Sequence, residues 1–217
     1  MLEKMGAFFD ARLQEYDTHQ LTCIEGAQAF YRFTAACLPH APGARVLDLG
    51  CGTGLELEAY FQFNPTARVT GIDLAPGMLS ALKRKLSGYS VQCVCGSYFD
   101  VPFGQQVYDA AVSVESLHHF TQEEKEPLYK KLFQALKPQG YLILTDYFAQ
   151  SDQEEAQCRK ALYALKRAEH IADDDFYHYD TPLTVQHEMD ALRGGGFSTV
   201  ECLGQWGATC TLKAVKS

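Results

Sequence analysis

An α/β fold built on a mainly parallel sheet is predicted by three features of this 217-residue chain. Short apolar strands alternate with helical stretches between residues 46 and 148, the pattern of strands joined by crossover helices. The first strand ends in an acid, Asp48, and runs into glycines at Gly50, Gly52 and Gly54 (VLDLGCGTG). Such a run suits a tight strand-to-helix turn whose bare backbone can approach a ligand. Near the other end, residues 198–203 and 208–215 alternate like strands, with 204–207 reading as a turn, so an antiparallel hairpin is expected there.

The elements follow in order. Residues 1–38 carry two helical patterns, Leu2, Met5, Phe9 and Leu13, then Ile24, Ala27, Tyr31 and Leu38. Pro39, Pro42 and Gly43 break the chain before the first strand. RVTGIDL, ending near Asp73, is a second strand about 20 residues past the glycines. Met78, Leu79, Leu82 and Leu86 mark a helix, residues 91–96 a third strand, and YDAAVSV a fourth. Leu128, Leu132 and Leu136 mark the next helix, and QGYLILTDYF a fifth strand. Residues 150–181 form an insertion with a helical stripe of Ala161, Leu162, Leu165 and Ala168, followed by DDDFYHYD. A last helix from about Pro182 stops at Gly194, Gly195 and Gly196, which can supply a left-handed end.

The spacing of the glycine loop narrows the ligand. A dinucleotide fingerprint needs its third glycine three positions after the second, where this chain has Leu55. With Gly54 one residue early and Asp48 before the loop, the segment resembles motif I of the class I S-adenosylmethionine-dependent methyltransferases. The resemblance continues in order from Asp48 to Phe148. It implies a Rossmann-like, mainly parallel seven-stranded sheet with helices on both faces, an antiparallel C-terminal hairpin and an N-terminal helical cap. One domain over 1–217 is expected: cap 1–42, cofactor-binding core 43–149, helical insertion or lid 150–181, and last helix with terminal hairpin 182–217.

The resemblance also implies site residues. Gly50, Cys51 and Gly52 would wrap the methionine half of S-adenosylmethionine, and Asp48 would orient the loop and the cofactor's amino group. Asp73 would accept both ribose hydroxyls, with Leu74 and Met78 flanking the adenine. Many relatives carry an acid at the position of Ser97, so here Ser97, Tyr98 or a neighbouring amide would read the ring. Val114 and Glu115 end the fourth strand beside the cofactor. The candidate base for the acceptor's proton is among Glu115, His118 and His119 of ESLHHF, with the two histidines otherwise shaping the pocket. Tyr16, in FFDARLQEYD, either covers the methionine end or packs in the core. Asp173, Asp174 and Asp175, with Phe176, Tyr177, His178 and Tyr179, either reach over the acceptor or form a solvated acidic loop with aromatic anchors.

Composition limits the alternatives. At 47% hydrophobic residues the chain can bury a substantial core. A formal net charge of −8 opposes a nucleic-acid substrate, since phosphate binding needs clustered Lys and Arg. The densest basic groups, Lys83–Lys85 and Lys166–Arg167, are short and sit on helix candidates. No apolar run reaches the roughly 18 residues of a membrane span, and no charged-then-apolar leader is visible, so a cytoplasmic protein without a membrane partner is expected. The eight cysteines are scattered without zinc-like spacing and read as buried thiols, with no metal expected. The expected activity is methyl transfer to a small molecule, with a cofactor-binding protein lacking transferase activity as the alternative. A dinucleotide-dependent oxidoreductase is disfavoured by Leu55.

Overall fold

The computed structural model describes residues 2–171 and 176–217. Three helices, α1 (Met5–Ala11), α2 (Leu13–Cys23) and α3 (Ala27–Cys37), precede β1 (Arg45–Leu49). The chain then runs through α4 (Leu55–Phe63), β2 (Arg68–Asp73), α5 (Pro76–Lys85), β3 (Ser90–Cys95) and β4 (Tyr108–Val114). A short helical turn (Leu117–His119) leads into α6 (Gln122–Ala135) and β5 (Leu136–Tyr147). After α7 (Asp152–Ala168) and α8 (Val185–Gly194), β6 (Thr199–Trp206) and β7 (Thr209–Val215) close the chain.

The seven strands form one sheet in the order β3-β2-β1-β4-β5-β7-β6. The first five are parallel, whereas β7 pairs antiparallel with both β5 and β6. The order reverses at β1, where β2 lies on one side and β4 on the other, and open α/β sheets bind ligands beyond the strand carboxyl ends at such a point. Central strands buried on both sides are near-continuous apolar runs, and period-two alternation sorts their side chains between two cores. Val46, Val112 and Ile143 join Phe30 of α3, Leu57 of α4 and Leu82 of α5 in one. Leu47, Ala111, Leu142 and Leu144 join Leu128 and Leu132 of α6 and Leu192 of α8 in the other.

Several local expectations are corrected. The first N-terminal pattern covers two helices: Phe9 lies on α1 and Leu13 opens α2, while Ile24 falls in the bend before α3. The terminal turn is not 204–207. Strand β6 runs on to Trp206, whose indole packs edge-on against Phe30 and Phe33, and the reversal is a two-residue turn at Gly207 and Ala208. Leu136 belongs to the start of β5 instead of α6, and the left-handed residue after α8 is Gly196 (φ 112°). Only Cys51 and Cys210 are buried; Cys23, Cys95 and Cys202 are exposed, the last two on the edge strands β3 and β6. All eight cysteines are free thiols.

The insertion and the amino terminus form one cover over the carboxyl edge of the sheet. The Met5 amide donates to the Phe176 carbonyl and the His178 amide to the Glu3 carbonyl, each at 3.0 Å. His178 stacks on Phe8 with ring centroids 3.6 Å apart. On the other side, Asp10 of α1 accepts from the Gly77 amide at the start of α5 at 2.9 Å, which anchors the cover to the core. Asp173, Asp174 and Asp175 lie outside the described residues.

Candidate active site

The glycine loop between β1 and α4 is shaped by backbone contacts to β2. Amides of Gly50 and Cys51 donate to the Ile72 carbonyl at 2.9 and 3.2 Å, and the Gly52 amide donates to Asp73 Oδ2 at 2.8 Å. All three loop glycines are left-handed, Gly50 at φ 71°, Gly52 at φ 46° and Gly54 at φ 76°. A Cβ on Gly50 would stand 2.1 Å from Ser116 Oγ, so two chain segments meet there at backbone distance. A Cβ on Gly52 would meet the Tyr16 hydroxyl at 3.6 Å, ordinary van der Waals contact, at the edge of a space that both residues line.

That space is a narrow cavity of about 40 Å³. Of the predicted cofactor residues it brings together Tyr16, Gly50, Gly52, Asp73, Leu74, Met78, Tyr98, Glu115 and His119, and adds Met5, Phe9 and Ser116. The Asp73 carboxylate also accepts the Ala75 amide at 2.8 Å through Oδ1. Burial pushes its pKa up while the amides of Ala75, Gly52 and Leu74 oppose the shift. Each oxygen keeps a second lone pair for a ligand hydroxyl. The Tyr98 hydroxyl meets Ser116 Oγ at 3.2 Å. Burial raises the Tyr16 phenol far above its ordinary value, so it stays protonated.

Four predicted side chains lie outside the cavity wall. Cys51 turns its thiol onto β2, where a Cβ on Gly71 would come within 2.7 Å of Sγ. Ser97 Oγ accepts the Phe99 amide at 3.1 Å and so caps its own turn. Val114 is buried in the core beneath the loop. Asp48 is sealed under the loop with neither oxygen meeting a protein donor. Burial, then the neighbouring Glu56 carboxyl, pushes its pKa well up, so a proton is retained between the two acids. Its side chain makes no hydrogen bond to the glycine loop.

A larger cavity opens outward from the first, and the two share Phe9, Tyr16, Glu115 and His119 as a common wall. His118, Tyr147, His178, Asp180 and Thr209 line the outer space with Phe8 and Arg12. Glu115 sits at the junction with a left-handed φ of 49°, a strained conformation for a non-glycine residue that recurs at functional sites. Thr209 Oγ1 donates to its Oε1 at 3.1 Å, and burial raises its pKa to about 7 against the opposing charge of His118.

The two histidines differ because their neighbours differ. His118 Nδ1 lies 2.5 Å from Asp146 Oδ1, and this carboxylate outweighs the lowering effect of burial to bring His118 up to about 9. His119 is brought down to about 4 by burial and by the charge of His118. Asp146 also accepts the amides of Leu117 and His118 at 2.8 and 3.0 Å, which pins the helical turn to the end of β5. Asp180 lies 3.0 Å from His119 Nδ1 and 3.6 Å from His118 Nε2; the surrounding histidines outweigh burial and hold it at about 2. Sequence reading assigned no role to Asp146 or Asp180. The one available signal for Asp146 was an acid closing an otherwise apolar strand.

Residues 46–140 match the sequence model of a methyltransferase domain family, which spans the loop, the switch point and the strands that carry this site. The central part of the chain carries a methyltransferase domain of the class I S-adenosylmethionine-dependent kind. S-adenosylmethionine is the cofactor of this domain family, and the lining residues suit it: bare backbone at Gly50 and Gly52, a two-oxygen acceptor at Asp73, and apolar walls at Leu74 and Met78. The methyltransferase is 30% identical over 113 residues to a malonyl-[acyl-carrier protein] O-methyltransferase of Priestia megaterium, covering 52% of this chain and 40% of that one. It is 28% identical over 233 residues to a carboxy-S-adenosyl-L-methionine synthase of Wolinella succinogenes, covering 99% and 92%. Its fold resembles that of human N-acetylserotonin methyltransferase solved in complex with S-adenosylmethionine, with a TM-score of 0.68, 17% identity, and 96% and 56% covered. The chain spans about two fifths of the length of several curated relatives it matches. Among the described residues no helix is long and apolar enough to cross a membrane.

Proposed function

We propose that this methyltransferase moves the methyl group of S-adenosylmethionine to a small molecule held in the outer cavity. The observation that carries the reading is the shared wall: Phe9, Tyr16, Glu115 and His119 separate the cavity over the glycine loop from the outer one, so a donor and an acceptor would meet there. S-adenosylmethionine, when bound, supplies an already activated methyl on sulfur. The chain's task is placement, and well-oriented reactants gain roughly 7–11 kcal/mol over free ones. In this reading Gly50, Gly52 and Asp73 hold the inner ligand, Leu74 and Met78 flank its base, and Phe9 with Tyr16 excludes water from the junction. His118 and His119 border the acceptor.

Calorimetry with S-adenosylmethionine against NADH, followed by labelled-methyl transfer to panels of hydroxyl, amine and carboxylate acceptors, tests the proposal. Saturable cofactor binding with transfer to one acceptor class supports it. Binding without transfer to any class leaves a cofactor-binding protein.

Two variants probe the wall. Tyr16→Ala is expected to lower turnover roughly a hundredfold, since misplacing reacting atoms by about 1 Å has that effect, with a smaller change in cofactor affinity. His119→Ala is expected to cut turnover by a similar, roughly hundredfold, factor and leave cofactor affinity within about threefold; equal loss of both would mean the imidazole only shapes the inner cavity.

The cover is expected to respond to ligand. Backbone amides of α1, α2 and residues 176–181 should gain hydrogen-exchange protection when S-adenosylmethionine binds, because lid elements come from the low-stability end of a fold. Identical protection with and without ligand would indicate a rigid open site.

A further inference from the structure

At the inner end of the outer cavity, three ligand-type side chains converge from two distant segments. His118 and His119 come from the helical turn after β4, and Asp180 from the segment before α8. Donor atoms of the three all lie within 4.8 Å of one another. Asp180 Oδ1 is 3.0 Å from His119 Nδ1 and 3.6 Å from His118 Nε2. Ligands bound at about 2.1 Å around a tetrahedral ion stand ~3.4 Å apart, which these separations bracket.

Three further observations point to a ligand. His118 presents Nε2 to the cluster because its Nδ1 is fixed by Asp146 at 2.5 Å. Metal-binding histidines characteristically hold the second ring nitrogen against a carboxylate in this way. His119, 6% exposed, has a buried Nδ1 that makes no aligned hydrogen bond despite its closeness to Asp180. A buried polar atom without a hydrogen bond is unfavourable, and an ion would relieve it. Asp180 is held in place by its neighbour, since the Thr181 amide donates to the His118 carbonyl at 2.7 Å. Its side chain remains half exposed on the cavity side.

We propose that His118, His119 and Asp180 bind one divalent transition cation, whose open positions face the outer cavity and take an oxygen of the methyl acceptor. Two imidazoles and one carboxylate select a first-row ion such as Zn²⁺, Mn²⁺, Fe²⁺ or Co²⁺ over Ca²⁺ or Mg²⁺, which prefer all-oxygen shells. The acceptor class is then a hydroxyl or carboxylate compound. This last step rests on the methyl-transfer reading, whereas the ion site itself does not. No zinc-like spacing announces it in the sequence, because the two histidines are adjacent and the carboxylate arrives only through folding of the insertion.

The test uses the full chain, freed of any affinity tag and stripped by chelation. Titration with Co²⁺ is followed by calorimetry and visible absorption, and Mn²⁺ and Zn²⁺ stoichiometry is counted after dialysis. One ion per chain with a nitrogen and oxygen spectrum is expected. His119→Ala and Asp180→Asn should each weaken Co²⁺ binding at least tenfold, while His187→Ala, on α8 beside Glu155, should leave it unchanged. No binding, binding unaltered by the triad variants, or the charge-transfer bands of cysteine thiolates would overturn the site. Cofactor calorimetry and labelled-methyl transfer on the stripped chain separate the two readings. Transfer at full rate without an ion overturns the acceptor role of the site and leaves methyl transfer standing.

Discussion

Alanine at Asp73 is expected to remove most of the affinity for S-adenosylmethionine. The carboxylate closes β2 and accepts two backbone amides at 2.8 Å, Gly52 from the glycine loop and Ala75 from the entry to α5. It also lines the inner cavity, where its remaining lone pairs would receive the ribose hydroxyls. Hydrogen bonds to a charged group contribute roughly 1.5–3 kcal/mol each. Losing the ligand bonds and loosening the loop together should weaken binding by roughly 3–6 kcal/mol, or about two to four orders of magnitude. Asp73→Asn keeps one acceptor oxygen and should fall between. Calorimetry with S-adenosylmethionine and S-adenosylhomocysteine measures the change, and circular dichroism establishes that the sheet is retained. An unaltered dissociation constant would remove the ribose assignment.

Gly52→Val is expected to abolish cofactor binding while the domain stays folded. At φ 46° the loop is left-handed, where a non-glycine residue costs about 1–2 kcal/mol and a β-branched one is least tolerated. The added Cβ would project toward Tyr16 across the cavity, so the branched side chain occupies the space that the cofactor needs. Its nearest protein atom, the Tyr16 hydroxyl, is 3.6 Å from the Cβ, so the Cβ itself is accommodated while the γ-methyls press on Tyr16 and on the space left for the ligand. Gly50→Ala provides the contrast, because its Cβ would strike Ser116 Oγ at 2.1 Å and the cost falls on the fold. Calorimetry and thermal melting on both variants therefore separate a loss of ligand binding from a loss of fold. Normal binding by Gly52→Val would overturn the cradle.

Much of this architecture is legible in local pattern. Strand identity followed from apolar runs such as YDAAVSV, and the bounds of β4 agree residue for residue with the run that predicted it. Pairing of Val46, Leu47 and Asp48 with β4 required the whole sheet, yet the alternation that sorts Val46 from Leu47 into different cores is written in the strand itself. The terminal hairpin was legible in kind but not in turn position. Gly204 and Gly207 carry the same turn signal, and only the docking of Trp206 on Phe30 and Phe33 extends β6 past the first of them.

The candidate site divides along the same line. By itself the sequence determined the α/β class, the glycine loop with Asp73 behind it, and the cluster of Glu115, His118 and His119 at the end of β4, because each depends on residues close together in the chain. Tertiary structure decided where side chains point and which segments meet. It turned Cys51 onto β2 and Ser97 onto its own turn, placed Asp146 behind His118, and brought Asp180 from the insertion to the two histidines. It also made Phe9, Tyr16, Glu115 and His119 the wall between two cavities. The physical reason is range: turn chemistry and strand alternation act over a few residues, whereas a cavity, a buried pair and the protonation they impose depend on segments joined only when the cover closes over the sheet.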